Sequence, residues 1–330
     1  MSSRPNIWAI VLAAGDGTRL ASLATDDRGN VVPKQFCSLN GGPSLLRKAL
    51  QRALRIVPRS QVCAVVTRKH EPYWRPMLRS LPPANVIVEP RNCGTANGVL
   101  HGVQRIIERD PHSRIVFLPA DHHVRNERPL AESVRIAAAL NAHEGLVLIG
   151  IVPDEVDPEL GYIIPGTSLG DGTRRVEEFI EKPAHTIAQD LIARGALWNS
   201  FIFAAHAASL ISLMRARLPA IVDGMATARE ADARRGQGTG TLEEFYQSLP
   251  TVDFSRSVLQ DAELVLRVVT ARACGWTDLG TPRRVAEVLQ RQRVESTRRT
   301  FVGVRSVRAF VNLAANLARL SLASLPSKGA

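Results

Sequence analysis

Alternating strand-like and helix-like segments are the strongest constraint on the fold of this chain. Short apolar runs rich in β-branched residues recur through its first half, at residues 7–14, 61–67, 85–88, 114–118 and 146–152. Segments of helical length and apolar spacing fill the intervals, at residues 44–56, 95–108 and 130–143. Such alternation predicts a parallel sheet with helices on both faces. We therefore expect an α/β protein with a doubly wound, mostly parallel, Rossmann-like sheet.

The second half has shorter strand-like pieces, at residues 161–165, 175–180 and 198–203, mixed with helices. We expect these pieces to extend the sheet and to close a pocket, within one catalytic domain at residues 1–295. A helical tail follows at residues 296–330, where apolar residues recur at helical spacing. The tail is expected to pack against the domain or against a second subunit in a homo-oligomer. A basic amphipathic helix resting on a membrane is the alternative.

The chain is strongly basic, with a formal charge of +11 in 330 residues. Arginine supplies nearly all of the excess, because there are only five lysines, and the arginines are scattered rather than gathered in one block. Scattered charge favours attraction of a polyanionic small substrate over a nucleic-acid interface, so no nucleic-acid partner is expected.

Cysteine usage and hydropathy indicate a cytoplasmic protein without a stable membrane span. The four cysteines form no CxxC pair and have no zinc-like spacing, which is typical of reduced thiols. The apolar run at residues 7–14 is too short to span a bilayer. The apolar segment at residues 307–325 is interrupted by Arg308, Asn312, Asn316 and Arg319.

The residues that follow the predicted strands carry unusual chemistry. In doubly wound sheets, ligands bind beyond the carboxyl ends of the strands. Those places hold glycine, arginine, asparagine and aspartate here, at residues 15–20, 89–95 and 119–123.

The glycine-rich turn after the first strand favours anion binding. Gly15 and Gly17 can present backbone N–H groups to a phosphate, and Arg19 adds a permanent cation. A tight turn without a ligand is the alternative interpretation. The segment has neither the GxxxxGK[ST] spacing of a P-loop nor the third glycine of a dinucleotide-binding GxGxxG.

The string LAAGDGTRL at residues 12–20, followed by PKQF at residues 33–36, resembles the signature of the sugar-1-phosphate nucleotidyltransferases, the nucleotide-sugar pyrophosphorylases. The PKQF spelling most resembles the mannose-1-phosphate guanylyltransferases. Further similar blocks follow in order, namely EPRNCGTA (89–96), PADH (119–122), GYI (161–163), VEEFIEKP (176–183), WNSFIF (198–203), VDFSRSVLQ (252–260) and GWTDLGT (275–281).

The resemblance implies a reaction between a nucleoside triphosphate, with GTP favoured, and a sugar 1-phosphate, with mannose 1-phosphate favoured. It also implies that Asp121 and Asp278 hold a Mg²⁺ ion. Carboxylates suit this ion because it prefers oxygen ligands, and one or two of them are usually sufficient. An isolated buried aspartate is otherwise a helix cap or an ion-pair partner. The sugar phosphate already carries a nucleophilic oxygen, so no general base is expected.

Further site residues are implied by the same blocks. Arg19 and Lys34 would contact the triphosphate, and Lys182 would hold the sugar phosphate, although each lysine could simply be a solvated surface residue. The nucleotide would also meet the residues Leu12, Ala13, Ala14, Gly15, Asp16, Gly17, Thr18, Glu89, Gly94 and Thr95. The sugar phosphate would meet the residues Gly161, Glu181, Lys182 and Asn199. Asn199 could instead only tie a loop.

Several positions depart from the guanylyltransferase pattern, and they leave the preferred sugar and base open. Phe201 replaces a glycine, Gln260 replaces a frequent glutamate, and Cys93 and Asn97 stand where arginine and proline are common. The alternatives are the same reaction on another pair, such as glucose 1-phosphate with dTTP, or a non-catalytic protein that binds nucleotide-sugars. His122 is expected to pack beside the site and His123 to be incidental, rather than the two binding a transition metal, since neighbouring residues on an extended chain point apart.

Overall fold

The computed structural model describes residues 6–17, 31–139, 145–235 and 240–299, with residue 235 and residues 293–299 described by their backbone alone. Thr18, Arg19 and Leu20 of the glycine-rich turn lie outside the described residues. So does the tail from residue 300 onward, and with it the expected tail packing and any oligomer contact through it.

The described residues form an α/β protein with eleven strands, nine in one sheet and two in a separate ribbon. The strands are β1 (Ile7–Leu12), β2 (Val62–Thr67), β3 (Val86–Glu89), β4 (Arg114–Pro119), β5 (His123–Val124), β6 (Leu146–Ile151), β7 (Gly161–Ser168), β8 (Arg174–Glu181), β9 (Leu197–His206), β10 (Leu266–Thr270) and β11 (Trp276–Thr277). The helices are α1 (Leu45–Ala53), α2 (Glu71–Leu78), α3 (Thr95–Ile107), α4 (Glu127–Ala139), α5 (His185–Ala193), α6 (Ala207–Arg217), α7 (Pro219–Arg235), α8 (Thr241–Ser248) and α9 (Pro282–Arg299).

Strand direction divides the sheet, whose order is β3-β2-β1-β4-β9-β6-β10-β8-β7. The strands β3, β2, β1 and β4 are parallel to one another, as the alternation predicts. In contrast, β9 is antiparallel to both β4 and β6, and the β7–β8 and β8–β10 pairs are also antiparallel. The prediction of a mostly parallel, Rossmann-like sheet is therefore not confirmed, because the sheet is mixed. Alternation of apolar and polar residues along a strand indicates which face of the strand is buried. It does not indicate whether the strand runs parallel or antiparallel to its neighbours.

Hydrophobic residues cover both faces of the sheet. On one face, called the α1 face, the core includes Leu46 and Ala49 of α1, Trp74 of α2 and Val134 of α4. The opposite face, called the α3 face, is covered by residues such as Val99 of α3 and by α6, α7 and α8. Successive residues of one strand point to opposite faces, so each strand contributes to both cores.

Helix α9 packs apart from these two layers. Its Val285 and Val288 pack with Leu39, Leu45 and Leu279 in a third, smaller cluster. The helix continues past residue 295 to Arg299. Among the helices that the structure describes, none combines the length and the hydropathy needed to span a bilayer.

The four cysteines are free thiols, and Cys63, Cys93 and Cys274 are buried. Burial raises the pKa of the Cys63 thiol to about 12, although Arg109 and Arg105 oppose this shift.

Candidate active site

The turn after β1 is held by the side chain of Gln35. The Gln35 amide donates hydrogen bonds to the carbonyl oxygens of Ala13 (3.0 Å) and Gly15 (2.6 Å). Gly17 has a φ of +63°, and a Cβ there would lie 2.9 Å from the Lys34 backbone nitrogen. The segment from Lys34 to Phe36 therefore packs directly under this turn and requires glycine in it.

Asp16 ties the same turn to neighbouring strands. Its carboxylate lies 3.3 Å from the Lys69 ammonium and accepts a hydrogen bond of 3.2 Å from the Asn92 amide. His70 also approaches it, at 3.3 Å. Because these groups occupy the carboxylate, Asp16 serves mainly to position the turn.

Lys34 joins the two aspartates that the sequence singles out. Its ammonium lies 2.9 Å from Asp121 Oδ2 and donates to the carbonyl oxygens of Asp278 (2.8 Å) and Leu279 (3.3 Å). Three acceptors match the three N–H donors of an ammonium. In this state Lys34 stabilises the positions of the aspartates, and contact with a phosphate would require part of this network to open.

Both aspartates are suited to a hard cation. Desolvation raises the pKa of Asp121, but the nearby Lys34 ammonium and His122 outweigh it and hold that pKa at about 2. Burial likewise raises the pKa of Asp278, and His122, Arg284 and the Gly280 backbone bring it below its usual value. Both are ionised near neutral pH.

The fit to magnesium follows from this chemistry. Asp121 and Asp278 flank the same end of the two-stranded β5–β11 ribbon, in which Thr277 is opposite His123. Magnesium keeps several waters and needs only one or two protein carboxylates together with phosphate oxygens. The part of the chain that the structure describes contains no group of three or more histidine, cysteine or acidic residues that could form an all-protein metal cage.

Arg284 is a site residue that the sequence reasoning missed. It is only 4% exposed, and its guanidinium lies 2.7 Å from Asp278 Oδ1. The same group reaches Asp157 (2.8 Å) and Glu155 (3.1 Å), and it stacks 4.9 Å above the ring of Trp198. Arg284 therefore fixes the orientation of Asp278 from helix α9.

Three of the predicted sugar-side residues meet on the α3 face. Gly161 is opposite Glu181 in the β7–β8 pairing, and Asn199 lies beside them on β9. A Cβ on Gly161 would lie 2.5 Å from Glu181 Oε2 and 3.2 Å from the Asn199 Cβ. Glycine is thus required for these two side chains to approach each other.

Glu181 has an unused hydrogen-bonding atom. Its Oε2 is buried and has no partner among the described residues. Burial, together with the nearby Asp253, raises the pKa of Glu181 to about 7, although Lys182 lowers it. A buried acceptor without a partner is costly unless a ligand supplies the missing donor.

Lys182 lies next to this group in a strained conformation. Its φ is +51°, and its ammonium lies 3.4 Å from Glu181 Oε1 and 4.0 Å from Asp253 Oδ2. Its side chain is 38% exposed, so the ammonium can reach a bound anion. By contrast, the Asn199 amide donates to Ser255 Oγ (3.2 Å) and its Oδ1 accepts from Phe201 N (3.1 Å), so Asn199 ties the local chain.

In the segment around the end of β3 and the start of α3, the side chains of Glu89 and Thr95 are already hydrogen-bonded within the protein. Gly94 precedes α3 with a φ of +88°, and Thr95 Oγ1 accepts a hydrogen bond of 2.8 Å from Phe254 N. Glu89 is 1% exposed and its carboxyl group faces Tyr246 in the core beneath α3. The structure therefore places the Glu89 side chain away from the turn after β1.

His122 packs between Asp121 and Trp276. His122 Nδ1 accepts a hydrogen bond of 3.3 Å from Trp276 Nε1, and its Nε2 lies 3.7 Å from Asp121. Burial lowers the pKa of His122 to about 4, although Asp121 opposes this. His122 is thus neutral and packs beside the aspartate.

Comparison with known proteins identifies the family. The family model described as nucleotidyl transferase matches residues 8–293. The chain belongs to the nucleotidyl transferase family. Its α/β fold is shared with a solved structure, that of a mannose-1-phosphate geranyltransferase from Thermus thermophilus. The two chains are 33% identical, with a TM-score of 0.72, over 85% of this chain and 79% of that one.

Curated nucleotidyl transferase relatives are longer than this chain. The xanthan biosynthesis protein XanB of Xanthomonas campestris pv. campestris is 29% identical over 279 residues, which cover 84% of this chain and 58% of that protein. A mannose-1-phosphate guanylyltransferase of Salmonella muenchen is 25% identical over 82% of this chain and 57% of its own length. The chain thus spans less than two thirds of the length of these relatives.

Proposed function

We propose that this nucleotidyl transferase joins a sugar 1-phosphate to a nucleoside triphosphate and releases pyrophosphate, with mannose 1-phosphate and GTP as the favoured pair. One arrangement carries the proposal. Two ionised aspartates joined by Lys34 lie at the same edge of the sheet as the glycine-rich turn. Beside Lys182, which is 38% exposed, the buried Oε2 of Glu181 has no hydrogen-bond partner among the described residues. The aspartates suit magnesium, and the turn suits a triphosphate. The Glu181 oxygen suits a sugar hydroxyl, and Lys182 suits a sugar phosphate.

In this mechanism an oxygen of the sugar phosphate attacks the α-phosphorus of the triphosphate. The bond from that phosphorus to the oxygen bridging to the β-phosphate breaks, and pyrophosphate leaves with the electron pair. A magnesium ion held by Asp121 and Asp278 would neutralise charge on the phosphate oxygens. The remaining task is to bring two polyanions together and hold them in line.

The chain's own residues account for this positioning. Backbone N–H groups of residues 15–17 would receive the triphosphate, and Arg19 would add a cation there. Lys182 would hold the sugar phosphate, and Glu181 would accept a hydrogen bond from a sugar hydroxyl through its free Oε2. Since the pKa of Glu181 is about 7, we expect this acceptor to strengthen as pH rises through neutrality.

Aspartate variants test the reaction. Asp121→Asn and Asp278→Asn should each lower pyrophosphate release about a hundredfold or more, since each removes charge next to the reacting phosphates. Asp190→Asn is the matched control, because this exposed aspartate of α5 makes only an i,i+4 pair with Arg194. Full magnesium-dependent turnover in both site variants would overturn the proposed function.

The substrate pair needs a separate measurement. A panel of four or five nucleoside triphosphates against several sugar 1-phosphates should give the highest kcat/KM for GTP with mannose 1-phosphate. A preference for dTTP with glucose 1-phosphate would replace the favoured pair and leave the reaction unchanged. Nucleotide-sugar binding without turnover of any pair would indicate a binding protein instead.

A further inference from the structure

A large cavity lies apart from the proposed substrate-binding residues. It has a volume of about 680 Å³ and lies between α1, the β5–β11 ribbon and the first turns of α9; we call it the α1–α9 cavity. Lys48 lines it from α1, Arg55 from the turn after α1, His123 and Arg125 from the ribbon region, and Arg291 from α9. This volume is in the range of pockets that hold a small organic ligand.

The α1–α9 cavity is on the opposite face of the sheet from the sugar-side residues. Trp198 lines the cavity and belongs to the α1-face core, whereas its neighbour Asn199 faces Ser255 on the α3 face. Neither Lys34, Asp121 nor Lys182 is among the lining residues. A ligand in this cavity would therefore be separate from both proposed substrates.

The acidic lining residues of the cavity are mostly neutralised. Glu127 accepts two hydrogen bonds from Arg52, at 2.9 and 3.0 Å. Glu287 pairs with Arg283 at 2.7 Å, and Glu155 pairs with Arg284 at 3.1 Å. Asp154 is the one acidic lining residue that forms no ion pair within the described part of the chain.

Three basic residues of the cavity lining are not neutralised. Lys48, Arg55 and Arg125 form no ion pair with any residue that the structure describes. Lys48 belongs to α1, and Arg55 follows two residues after the last residue of that helix. Burial lowers the pKa of Lys48, although Glu127 opposes this, so its ammonium is partly withdrawn from water. Burial lowers the pKa of His123, and Lys48 and Arg125 lie close enough to it to lower that pKa further. Three cations that are unpaired among the described residues give the lining of one cavity a surplus of positive charge that an anion would offset.

Two residues of the cavity lining have buried polar atoms without partners in the part of the chain that the structure describes. His123 is 8% exposed, and its Nδ1 has no hydrogen-bond partner among the described residues. Trp198 is 2% exposed and its Nε1 also has none. Both residues line the α1–α9 cavity. Unpaired buried polar atoms are uncommon in native proteins and indicate a missing partner.

The rest of the lining is suited to an uncharged organic group. Trp276, Val124 and Val288 contribute aromatic and aliphatic surface to the same cavity. A phosphate monoester combines a charge of about −1.5 to −2 with an organic body. We propose that the α1–α9 cavity binds a small organic phosphate, with its phosphate against Lys48 and Arg125 and its body against Trp276.

Fluorotryptophan NMR provides a test with internal controls. The protein has four tryptophans, of which Trp198 and Trp276 line the cavity and Trp8 and Trp74 do not. Titration of the full chain with phenyl phosphate should move the ¹⁹F signals of Trp198 and Trp276 saturably and leave those of Trp8 and Trp74 in place. Inorganic phosphate should bind more weakly, because it leaves the apolar lining uncovered. Equal affinity for the two probes would contradict the organic phosphate as the ligand class.

A charge-neutralising variant separates this cavity from the substrate site. Lys48→Gln/Arg125→Gln should weaken phenyl phosphate binding by about tenfold or more, since it removes two charge-assisted contacts. Arg47→Gln/Arg59→Gln is the matched control, because both arginines are exposed near α1 and neither lines the cavity. Thermal unfolding would verify that both variants are folded. Unchanged affinity in the folded Lys48→Gln/Arg125→Gln variant, or no movement of the Trp198 and Trp276 signals in the unmodified chain, would overturn the proposal.

Discussion

At the scale of single residues, Gly94 shows how backbone contact positions the start of α3. It has a φ of +88°, and a Cβ there would lie 2.4 Å from the Val252 carbonyl oxygen. The adjacent Ala96 N–H donates to the same oxygen at 3.1 Å. The segments around Gly94 and Val252 are therefore packed backbone to backbone.

Gly94→Ala should lower the free energy of unfolding by about 2–5 kcal/mol, because it combines backbone strain with a backbone clash. Urea unfolding followed by far-UV circular dichroism would measure it. Gly15→Ala is the control, since a Cβ there has no atom within 4 Å, and it should change stability by less than about 1 kcal/mol. Equal stability of the two variants would contradict the close contact.

Glu89 carries a second residue-scale prediction, on pH. Burial raises its pKa to about 8, although the Tyr246 hydrogen bond of 3.2 Å opposes this. The folded pKa is above the ordinary value of 4.5, so the stabilisation from the neutral carboxyl group is complete below about pH 4.5. It is lost as pH rises through about 8.

Glu89→Gln keeps the shape of the neutral side chain and removes its ionisation. The free energy of unfolding of this variant, relative to the unmodified protein, should therefore rise by about 1 kcal/mol or more between about pH 5.5 and pH 8.5. Urea unfolding at both pH values measures this difference. Glu244→Gln, at an exposed position of α8, should show no such rise. A constant difference for Glu89→Gln would show that the carboxyl group does not titrate in this range.

At the scale of elements, one arginine attaches helix α9 to the site. Arg284 contacts the buried carboxylates of Asp278 and Asp157 and also Glu155. Its neighbour Arg283 is 59% exposed and pairs with Glu287 and Glu155. The two arginines are adjacent in sequence and differ mainly in burial, which makes them a matched pair.

Arg284→Met should lower the free energy of unfolding by about 3–5 kcal/mol, because it leaves buried carboxylates without their cation. Arg283→Met should cost less than about 1 kcal/mol. Chemical unfolding without magnesium would measure both values, independently of activity. Similar small losses in both variants would mean that Arg284 does not anchor the helix.

Local sequence patterns predict the elements better than they predict strand direction. The strands β1, β2, β3, β4 and β6 all lie where apolar runs predict them. The position of β9 between β4 and β6 depends instead on contacts between residues far apart in the chain, such as Phe117 opposite Phe203. The local spacing of hydrophobic residues does not determine such a pairing.

The same limit applies to the candidate site. The structure places Lys34 against the carboxylate of Asp121 and the backbone carbonyl of Asp278, and the roles of these residues in a reaction stay predictions. The contact of Arg284 with Asp278 and the burial of Glu89 against Tyr246 were not predicted. Phe201 gave a usable signal, because it replaces a glycine of the related motif and has a φ of +55°. A residue in place of an expected glycine predicts backbone strain.

At the scale of the whole molecule, the nine strands form one continuous sheet. The parallel half and the mixed half meet where β4 pairs with β9, over Arg114 to Phe117. The two halves share both hydrophobic cores, since β9 contributes to each face. Within the described residues, no separate sheet core belongs to either half.

We therefore expect a single cooperative unfolding transition. Trp8, in the parallel half, donates to Asp110, whereas Trp198 lies on β9 of the mixed half. Fluorotryptophan signals from both halves should disappear at the same urea concentration. Two separated midpoints would show that the halves unfold independently.

Strand β9 also limits how this chain can vary. Trp198 faces the α1–α9 cavity and Asn199 faces the sugar-side cluster, one residue apart. Inserting or deleting one residue at the start of β9 would turn every later side chain of the strand to the opposite face of the sheet. Side chains that now face the α1–α9 cavity would then face the sugar-side residues, and the reverse. Single substitutions on β9 can therefore alter the α1–α9 cavity or the sugar-side residues separately, whereas a change in the length of this strand would disrupt both.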